Sequence, residues 1–154
     1  MAASSTAAAF VVALKAALVA RFAAHGTLSA VRVDLIPTGD TSQIDAVTLL
    51  RGPITGGQEF ATFSKRRSDR YAIPGRIATY ATGADSDLAF VESWDKAALI
   101  LDEIILRLRD NQELAGDALE PNRVTEIEYE AMSSEKGGWV TRCDYTIEYG
   151  SVVA

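Results

Sequence analysis

Residues 85–110 read DSDLAFVESWDKAALILDEIILRLRD and predict one long amphipathic helix in the middle of the chain. Apolar side chains recur at three- and four-residue spacing along one face, at Phe90, Trp94, Ala97, Leu101, Ile104 or Ile105, and Leu108. Charged side chains occupy the opposite face. Asp85, Ser86 and Asp87 are suited to cap the helix N-terminus and to complement its dipole. The helix therefore divides the chain into an earlier and a later group of strands.

The later group is predicted to be a C-terminal β-hairpin. Arg123–Ala131 and Trp139–Tyr149 alternate in polarity, and Ser133–Gly138 links them with two glycines. In the first strand one face is predicted to carry Thr125, Ile127 and Tyr129, and the other Glu126, Glu128 and Glu130. In the second strand the apolar face carries Cys143, Tyr145, Ile147 and Tyr149.

The earlier group begins with a predicted helix over residues 4–24. Its apolar stripe consists of Phe10, Leu14, Leu18 and Phe22, widened by Val11 and Val12. Extended segments follow at 31–35, 46–51, 59–64 and 71–80. Pro74-Gly75 lies inside the last of these, which favours an edge strand or a bulge over a central strand.

This order of elements predicts an α+β fold. Strands in runs favour a mostly antiparallel sheet flanked by an N-terminal helix and one long central helix, with the C-terminal β-hairpin completing it. The length of 154 residues fits a single domain over 1–154, and 48% hydrophobic residues are enough for a compact core.

The net charge of −6 comes from the C-terminal part of the chain. Residues 1–110 hold 12 acidic and 12 basic side chains, whereas residues 111–154 hold 9 acidic and 3 basic. A protein that reads nucleic acid needs a basic face to neutralise phosphates, so this distribution argues against that function.

Residues suited to catalysis or to metal binding are scarce. His25 is the only histidine and is interpreted as a helix-end residue, because nothing around it supplies a nucleophile or an orienting group. Cys143 is the only cysteine and lies on the apolar face of a strand, where a thiol is usually inert. No phosphate loop, zinc-ligand set or calcium loop appears, so no catalytic residue, metal or cofactor is expected.

The alanine-rich N-terminus is interpreted as an amphipathic helix and not as a targeting segment. No basic residue precedes Lys15, as a signal peptide would require. The uncharged run Ala2–Leu14 is too short to span a bilayer. The chain is therefore expected to be cytoplasmic when made, without a membrane partner.

Two charged clusters are candidate interaction surfaces. The basic cluster is Lys65, Arg66, Arg67 and Arg70, which is interpreted as a solvated loop, a protein interface or, least favoured, a DNA contact. The acidic stripe is Glu126, Glu128 and Glu130, either a wet outer sheet face or an acidic wall toward a channel or a basic partner. Arg142 on the next strand is placed to neutralise part of this stripe.

Several segments resemble the tail terminators and head–tail joining proteins of long-tailed bacteriophages, especially actinobacterial phages. Residues 67–150 carry the resemblance, in the segments Arg67–Ile73, Thr82–Asp87, Leu106–Asn111, Leu114–Gly116, Val124–Tyr129, Gly137–Trp139 and Cys143–Tyr149. Ala115-Gly116 stands where the family pattern has a double glycine, and residues 36–57 are less typical. These motifs are turns and apolar periodicities, and none is a catalytic signature.

The resemblance implies a structural, non-enzymatic virion protein at the head-proximal end of the tail, assembled in the host cytoplasm. Such proteins form a ring, usually a hexamer, on the last ring of the tail tube protein. They end tube polymerisation and offer a surface to the head-side connector, while DNA passes through the lumen without sequence-specific binding. The alternatives are a head-completion or neck connector protein and, in a different class, a small α+β hydrolase or ligand-binding domain.

Overall fold

The computed structural model describes residues 5–37, 44–60, 67–110, 123–133 and 137–153. The elements in chain order are helix α1 (Ser5–Ala24), strands β1 (Arg32–Asp34), β2 (Ala46–Thr48), β3 (Thr55–Phe60) and β4 (Arg67–Ala81), helix α2 (Ser86–Asp110), and strands β5 (Arg123–Ser133) and β6 (Trp139–Val153). The predicted α+β class, both helices and the C-terminal hairpin are confirmed.

The strands form one sheet in the order β1-β2-β4-β6-β5, and β3 pairs with β4 beyond the end of β2. All pairs are antiparallel except β1 and β2, which are parallel. The long pair β4–β6 is the centre of the sheet, with Tyr71 opposite Tyr149 and Ala81 opposite Trp139. The prediction of a mostly antiparallel sheet therefore holds, with one parallel pair that the sequence did not indicate.

Both helices pack on one face of the sheet, which we call the helix side. Phe10 of α1 stacks on Tyr149 of β6, with ring centroids 4.3 Å apart. The core between helices and sheet includes Leu14, Leu18, Phe22, Ile73, Ile77, Ile100, Ile104, Cys143, Tyr145 and Ile147, all buried. In α1, Val12 was predicted to be part of the buried stripe but is 58% exposed.

Helix α1 is long and apolar enough to cross a membrane by length and composition, because residues 7–24 have a mean hydropathy of 1.9. Its large side chains Phe10, Val11 and Leu14 are nevertheless buried in the core of the protein, and so are Leu18 and Phe22. Packing against the sheet accounts for these five side chains, whereas Val12 and Val19 of the same helix are exposed.

Helix α2 begins where the sequence predicts. The Asp85 carboxylate accepts hydrogen bonds from the backbone N–H groups of Asp87 at 3.0 Å and Leu88 at 3.2 Å, as an N-cap does. A buried hydroxyl chain then fixes the helix to the sheet. Ser93 and Thr141 share a hydrogen bond of 2.8 Å, and the Thr79 hydroxyl donates to the Ser93 carbonyl.

Strand β4 corrects the expectation for Pro74-Gly75, because it is a central strand and contains both residues. On one side β4 pairs with β3 up to Ala72 and with β2 from Arg76 onward, so Pro74 lies between these two partners. The Pro74 carbonyl accepts a hydrogen bond from the Arg51 N–H at 2.8 Å on that side. The proline nitrogen points the same way, into the gap, and no ladder hydrogen bond is lost.

Tyr145 gives a stability prediction. Its ring is fully buried and its hydroxyl has no hydrogen-bond partner among the described residues. Because an unpaired buried hydroxyl costs free energy, Tyr145→Phe is expected to raise the free energy of unfolding by about 1–2 kcal/mol. Urea denaturation measures this. Tyr80→Phe is the control, because it removes a hydrogen bond to the Gly137 carbonyl and should be slightly destabilising; a loss of stability in Tyr145→Phe would contradict the prediction.

Candidate assembly surface

The face of the sheet opposite the helices, which we call the outer face, is polar. Cross-strand neighbours form rows on it, and one row runs through Glu128, Asp144, Arg76, Thr48 and Asp34. The adjacent row contains Glu130, Arg142, Ala78, Ala46 and Arg32. No described helix covers this face. It is therefore a charged surface open to solvent or to a partner.

A charge network lies at the centre of the outer face. Arg76 contacts Asp144 with two nitrogens, Nε to Oδ1 at 2.7 Å and Nη2 to Oδ2 at 3.2 Å. Arg51 Nε lies 3.7 Å from the same carboxylate and donates to the Gly75 carbonyl at 3.3 Å. The hydrogen bonds from Arg76 hold the pKa of Asp144 below its ordinary value, and the charges of Arg51 and Arg142 act in the same direction.

This network predicts how stability depends on pH. Because the pKa of Asp144 is lower in the folded state, the pair stabilises the fold at neutral pH. That contribution is lost as the pH falls below about 4, through the folded pKa. Asp144→Asn is expected to lower the free energy of unfolding at pH 7 by about 1 kcal/mol, since the pair is partly exposed.

Urea denaturation at neutral and at acidic pH measures this effect, and the deficit of Asp144→Asn should shrink in acid. Asp102→Asn is the matched control, because Asp102 is an exposed carboxylate on α2 and its loss should change stability little. An equal deficit of Asp144→Asn at both pH values would show that the carboxylate charge is not what stabilises the fold.

The acidic stripe lies along β5, the strand at one edge of the sheet. Glu126, Glu128 and Glu130 are all exposed. Glu130 is opposite Arg142 and Glu128 is opposite Asp144, so both belong to the outer face. Glu126 reaches the same face, because its Oε2 accepts a hydrogen bond of 3.1 Å from the Thr146 hydroxyl. The three carboxylates therefore share a face, as the sequence predicts.

The prediction that Thr125, Ile127 and Tyr129 share the other face of β5 is wrong. A β-bulge lies between Thr125 and Glu128, which pair with Thr146 and Asp144, so β5 carries one more residue than β6 there. Glu126 has a positive φ of 53° within the bulge. The alternation shifts at this point, and Thr125 is on the outer face while Tyr129 is on the helix side. Ile127 is 45% exposed.

The basic cluster is only partly within the described residues. Lys65 and Arg66 lie outside them. Arg67 is the first residue of β4 and pairs with Phe60 of β3, and Arg70 is exposed on the same strand. Its role as an interface remains a prediction.

Neither His25 nor Cys143 belongs to a catalytic arrangement among the described residues. The His25 imidazole Nδ1 accepts a hydrogen bond from the Thr27 N–H at 3.1 Å, and its Nε2 is 3.8 Å from Glu103, which also binds Arg21. Cys143 is fully buried, and burial raises the pKa of its thiol to about 11. The contact between His25 and Glu103 joins the end of α1 to α2, and Cys143 is part of the hydrophobic core.

An open groove of about 490 Å³ runs along α2, on the helix side of the sheet. Its lining is Thr27, Leu88, Val91, Glu92, Asp95, Lys96 and Leu99. Lys96 is already engaged, because its Nζ donates to Asp45 at 3.1 Å and to the Tyr80 carbonyl at 2.7 Å. Within the described residues no group of three or more His, Cys, Asp or Glu could hold a metal ion.

The sequence did not reveal the Arg51–Arg76–Asp144 network. Arg76 and Asp144 each occupy a polar position of an alternating strand, which is the one signal that marks them. Their contact spans 68 residues of chain and depends on the β4–β6 register, which single-strand patterns do not contain.

Comparisons with known proteins give a structural likeness without a family. No protein-family model matches the sequence, and no curated protein matches it. A chain in a solved structure, the virion of a native gene transfer agent particle, is similar to this one with a TM-score of 0.43 and 18% identity. The likeness covers 88% of this chain and 91% of that one.

Proposed function

We propose that this protein is a structural virion protein, and specifically a tail terminator that caps the phage tail tube as a ring. The observation that carries the proposal is the one-sided packing of the sheet. Both described helices lie on one face, which leaves a charged outer face and the edge of β5 for other molecules. Within the described residues, the segments that resemble tail terminators lie in β4, α2, β5 and β6 and in the turns that begin α2 and β6, and the acidic stripe and the Arg76–Asp144 pair belong to these strands.

A closed ring of identical subunits requires heterologous contacts, in which one patch of a subunit meets a different patch of the next. Strand β5 is 11 residues long and bordered by carboxylates, whereas β1 at the other side has 3 residues and pairs in parallel. The carboxylates of β5 would repel those of a second β5, which disfavours a symmetric dimer through this edge and favours contacts between unlike patches elsewhere on the subunit.

The acidic stripe fits a surface that faces the DNA passage. Exposed carboxylates repel phosphates, so a wall that carries Glu126, Glu128 and Glu130 lets DNA pass without gripping it. In this proposal the outer face of β5 lines the lumen, and the tail tube protein and the head-side connector bind the two ends of the ring.

The proposal is tested in a phage that carries this gene. Electron microscopy of phage that lack the protein should show tails of abnormal length. Native mass spectrometry of the purified protein should detect rings. Tails of normal length that fail to join heads would contradict termination and support the neck connector alternative. A strictly monomeric protein that also fails to bind tail tubes would contradict both.

The triple variant Glu126→Gln, Glu128→Gln and Glu130→Gln tests the lumen placement. Ring assembly is expected to stay intact, because glutamine keeps the size of the side chain and an acceptor for Thr146. Only DNA passage should change, measured as the rate of DNA ejection from complete particles.

The matched control removes three exposed carboxylates of α2 instead, by Glu92→Gln, Asp95→Asn and Asp102→Asn. This control should eject DNA like the wild type. Loss of rings by a folded β5 variant would show that the stripe is part of the subunit contact, and loss of folding would show that it stabilises the subunit; either result would contradict the lumen placement.

A hydrolase or small-ligand function has weaker support. The groove along α2 is open and holds no nucleophile beside a base, because its titratable side chains are Glu92, Asp95 and Lys96. Tyr129, Cys143 and Tyr145, whose pKa values burial raises, are on β5 and β6 and do not line the groove. The geometry favours assembly.

A further inference from the structure

Within the part of the chain that the structure describes, strand β5 has one unpaired edge. It is the last strand of the sheet order, and among the described residues only β6 pairs with it. From Glu128 to Ser133 this pairing is regular, so the strand is extended over six residues. Along the other edge, every second residue presents an N–H and a C=O that no described strand binds.

A shelf of aromatic rings lies beside this edge on the helix side. Tyr129 stacks on Trp94 with centroids 4.7 Å apart and planes 20° apart. Phe90 lies 5.8 Å from Trp94 and 5.3 Å from Trp139. All four rings are half-buried, so the aromatic shelf (Phe90, Trp94, Tyr129 and Trp139) still offers apolar surface.

The other side of the same edge is acidic. The exposed carboxylates of Glu128 and Glu130 point to the outer face, on the opposite side of β5 from Tyr129. A strand that pairs with β5 places alternate side chains on these two sides. One set would lie beside the carboxylates, where basic groups are favoured, and the other beside the aromatic shelf, where apolar groups are favoured.

The same charges disfavour the edge of a second β5 as the occupant. Antiparallel pairing of two β5 edges would bring Glu128 and Glu130 of each copy close to those of the other, and like charges across strands are destabilising. The bulge at Glu126, with its φ of 53°, ends the regular run and limits any partner strand to the stretch after it.

We propose that the Glu128–Ser133 edge of β5 binds an extended segment of a partner protein in which basic and apolar residues alternate. The segment adds a strand to the sheet, through backbone hydrogen bonds to β5. Its basic side chains pair with Glu128 and Glu130, and its apolar side chains cover the aromatic shelf. This binding site does not depend on ring formation or on tail termination.

The test uses the full chain and a short synthetic peptide that alternates lysine and valine. Isothermal titration measures affinity, and tryptophan fluorescence reports on the shelf, because both tryptophans of the chain belong to it. The same peptide with N-methylated backbone positions, which cannot pair as a strand, is expected to bind at least about tenfold more weakly. A peptide that alternates glutamate and valine should also lose binding.

The variant Glu128→Gln with Glu130→Gln is expected to weaken binding of the lysine peptide about fivefold and to reduce its salt dependence. Glu92→Gln with Asp95→Asn is the matched control, since it makes the same change of charge on the exposed side of α2 and should bind like the wild type. No binding at millimolar peptide, equal binding of the N-methylated peptide, or equal affinity of the two variants would each overturn the proposal. Self-association through paired β5 edges would overturn it as well.

Discussion

Gly75→Ala is expected to lower the free energy of unfolding by roughly 3 kcal/mol, with a fall in melting temperature of roughly 10 °C. A Cβ at this position would lie 2.4 Å from Cζ and 2.5 Å from the hydroxyl oxygen of Tyr145, the residue opposite it on β6. Tyr145 is fully buried and is enclosed by the core, so its ring has no free space into which to move. The substitution therefore forces the two central strands apart or displaces the ring.

Gly83→Ala is the control, because no atom lies within 4 Å of a Cβ at that position. It should leave stability almost unchanged. The variant Tyr145→Leu separates the clash from other effects of alanine. In the Tyr145→Leu background the cost of Gly75→Ala should fall to a small fraction of its value in the wild type, as a double-mutant cycle measures. An undiminished cost would show that the ring is not the obstacle.

This contact explains why the sequence of β4 favours an edge strand or a bulge although the strand is central. Proline and glycine inside a strand usually mark an edge or a bulge, and here each has a specific partner in a central strand. Pro74 faces the gap between β2 and β3, and Gly75 makes room for the ring of Tyr145. Both reasons depend on residues far away in the chain, so a local pattern does not contain them.

Where local pattern and packing agree, the sequence was a reliable guide. The helix α2 was predicted from its periodicity and from Asp85, which does cap it. In α1 the stripe from Phe10 to Phe22 was correct, but Val12 is exposed. The reason is that the sheet covers a narrower strip of this helix than its apolar side chains occupy. Composition alone does not define which apolar residues a partner element reaches.

The sequence indicates which charged residues the candidate surface contains, but not how they are arranged across the strands. The three carboxylates of β5 were predicted to share a face and do so. The cationic centre beside them, made by Arg51 and Arg76 around Asp144, appears only once the strands are in register. A polar position in a strand pattern indicates the face that the residue occupies, whereas its neighbours come from tertiary structure.

The bulge in β5 predicts that two neighbouring single-residue deletions differ strongly in their effect on stability. Deleting either Glu126 or Ile127 makes β5 and β6 equal in length between Thr125 and Glu128. The residue that remains then faces the helix side, opposite Tyr145. Deletion of Glu126 turns Ile127 inward, which buries an apolar side chain that is 45% exposed and removes the positive φ of 53°.

Deletion of Ile127 instead turns the Glu126 carboxylate toward the core and away from Thr146, its hydrogen-bond partner. Because an unpaired carboxylate is costly to bury, this variant should be less stable than the other deletion by about 2–4 kcal/mol. Urea denaturation of the two proteins measures the difference. Glu126→Gly is the control, because it keeps the bulge; it relieves the positive φ but loses the hydrogen bond from Thr146, so stability should change by less than about 1 kcal/mol. Equal stability of the two deletions would mean that β5 shifts its whole register, which would bring Tyr129 away from Trp94 and change the tryptophan fluorescence. The alternation of residues 125–130 in the sequence therefore gives no sign of the extra residue, which places Thr125 and Glu128 on the same face although they are three positions apart.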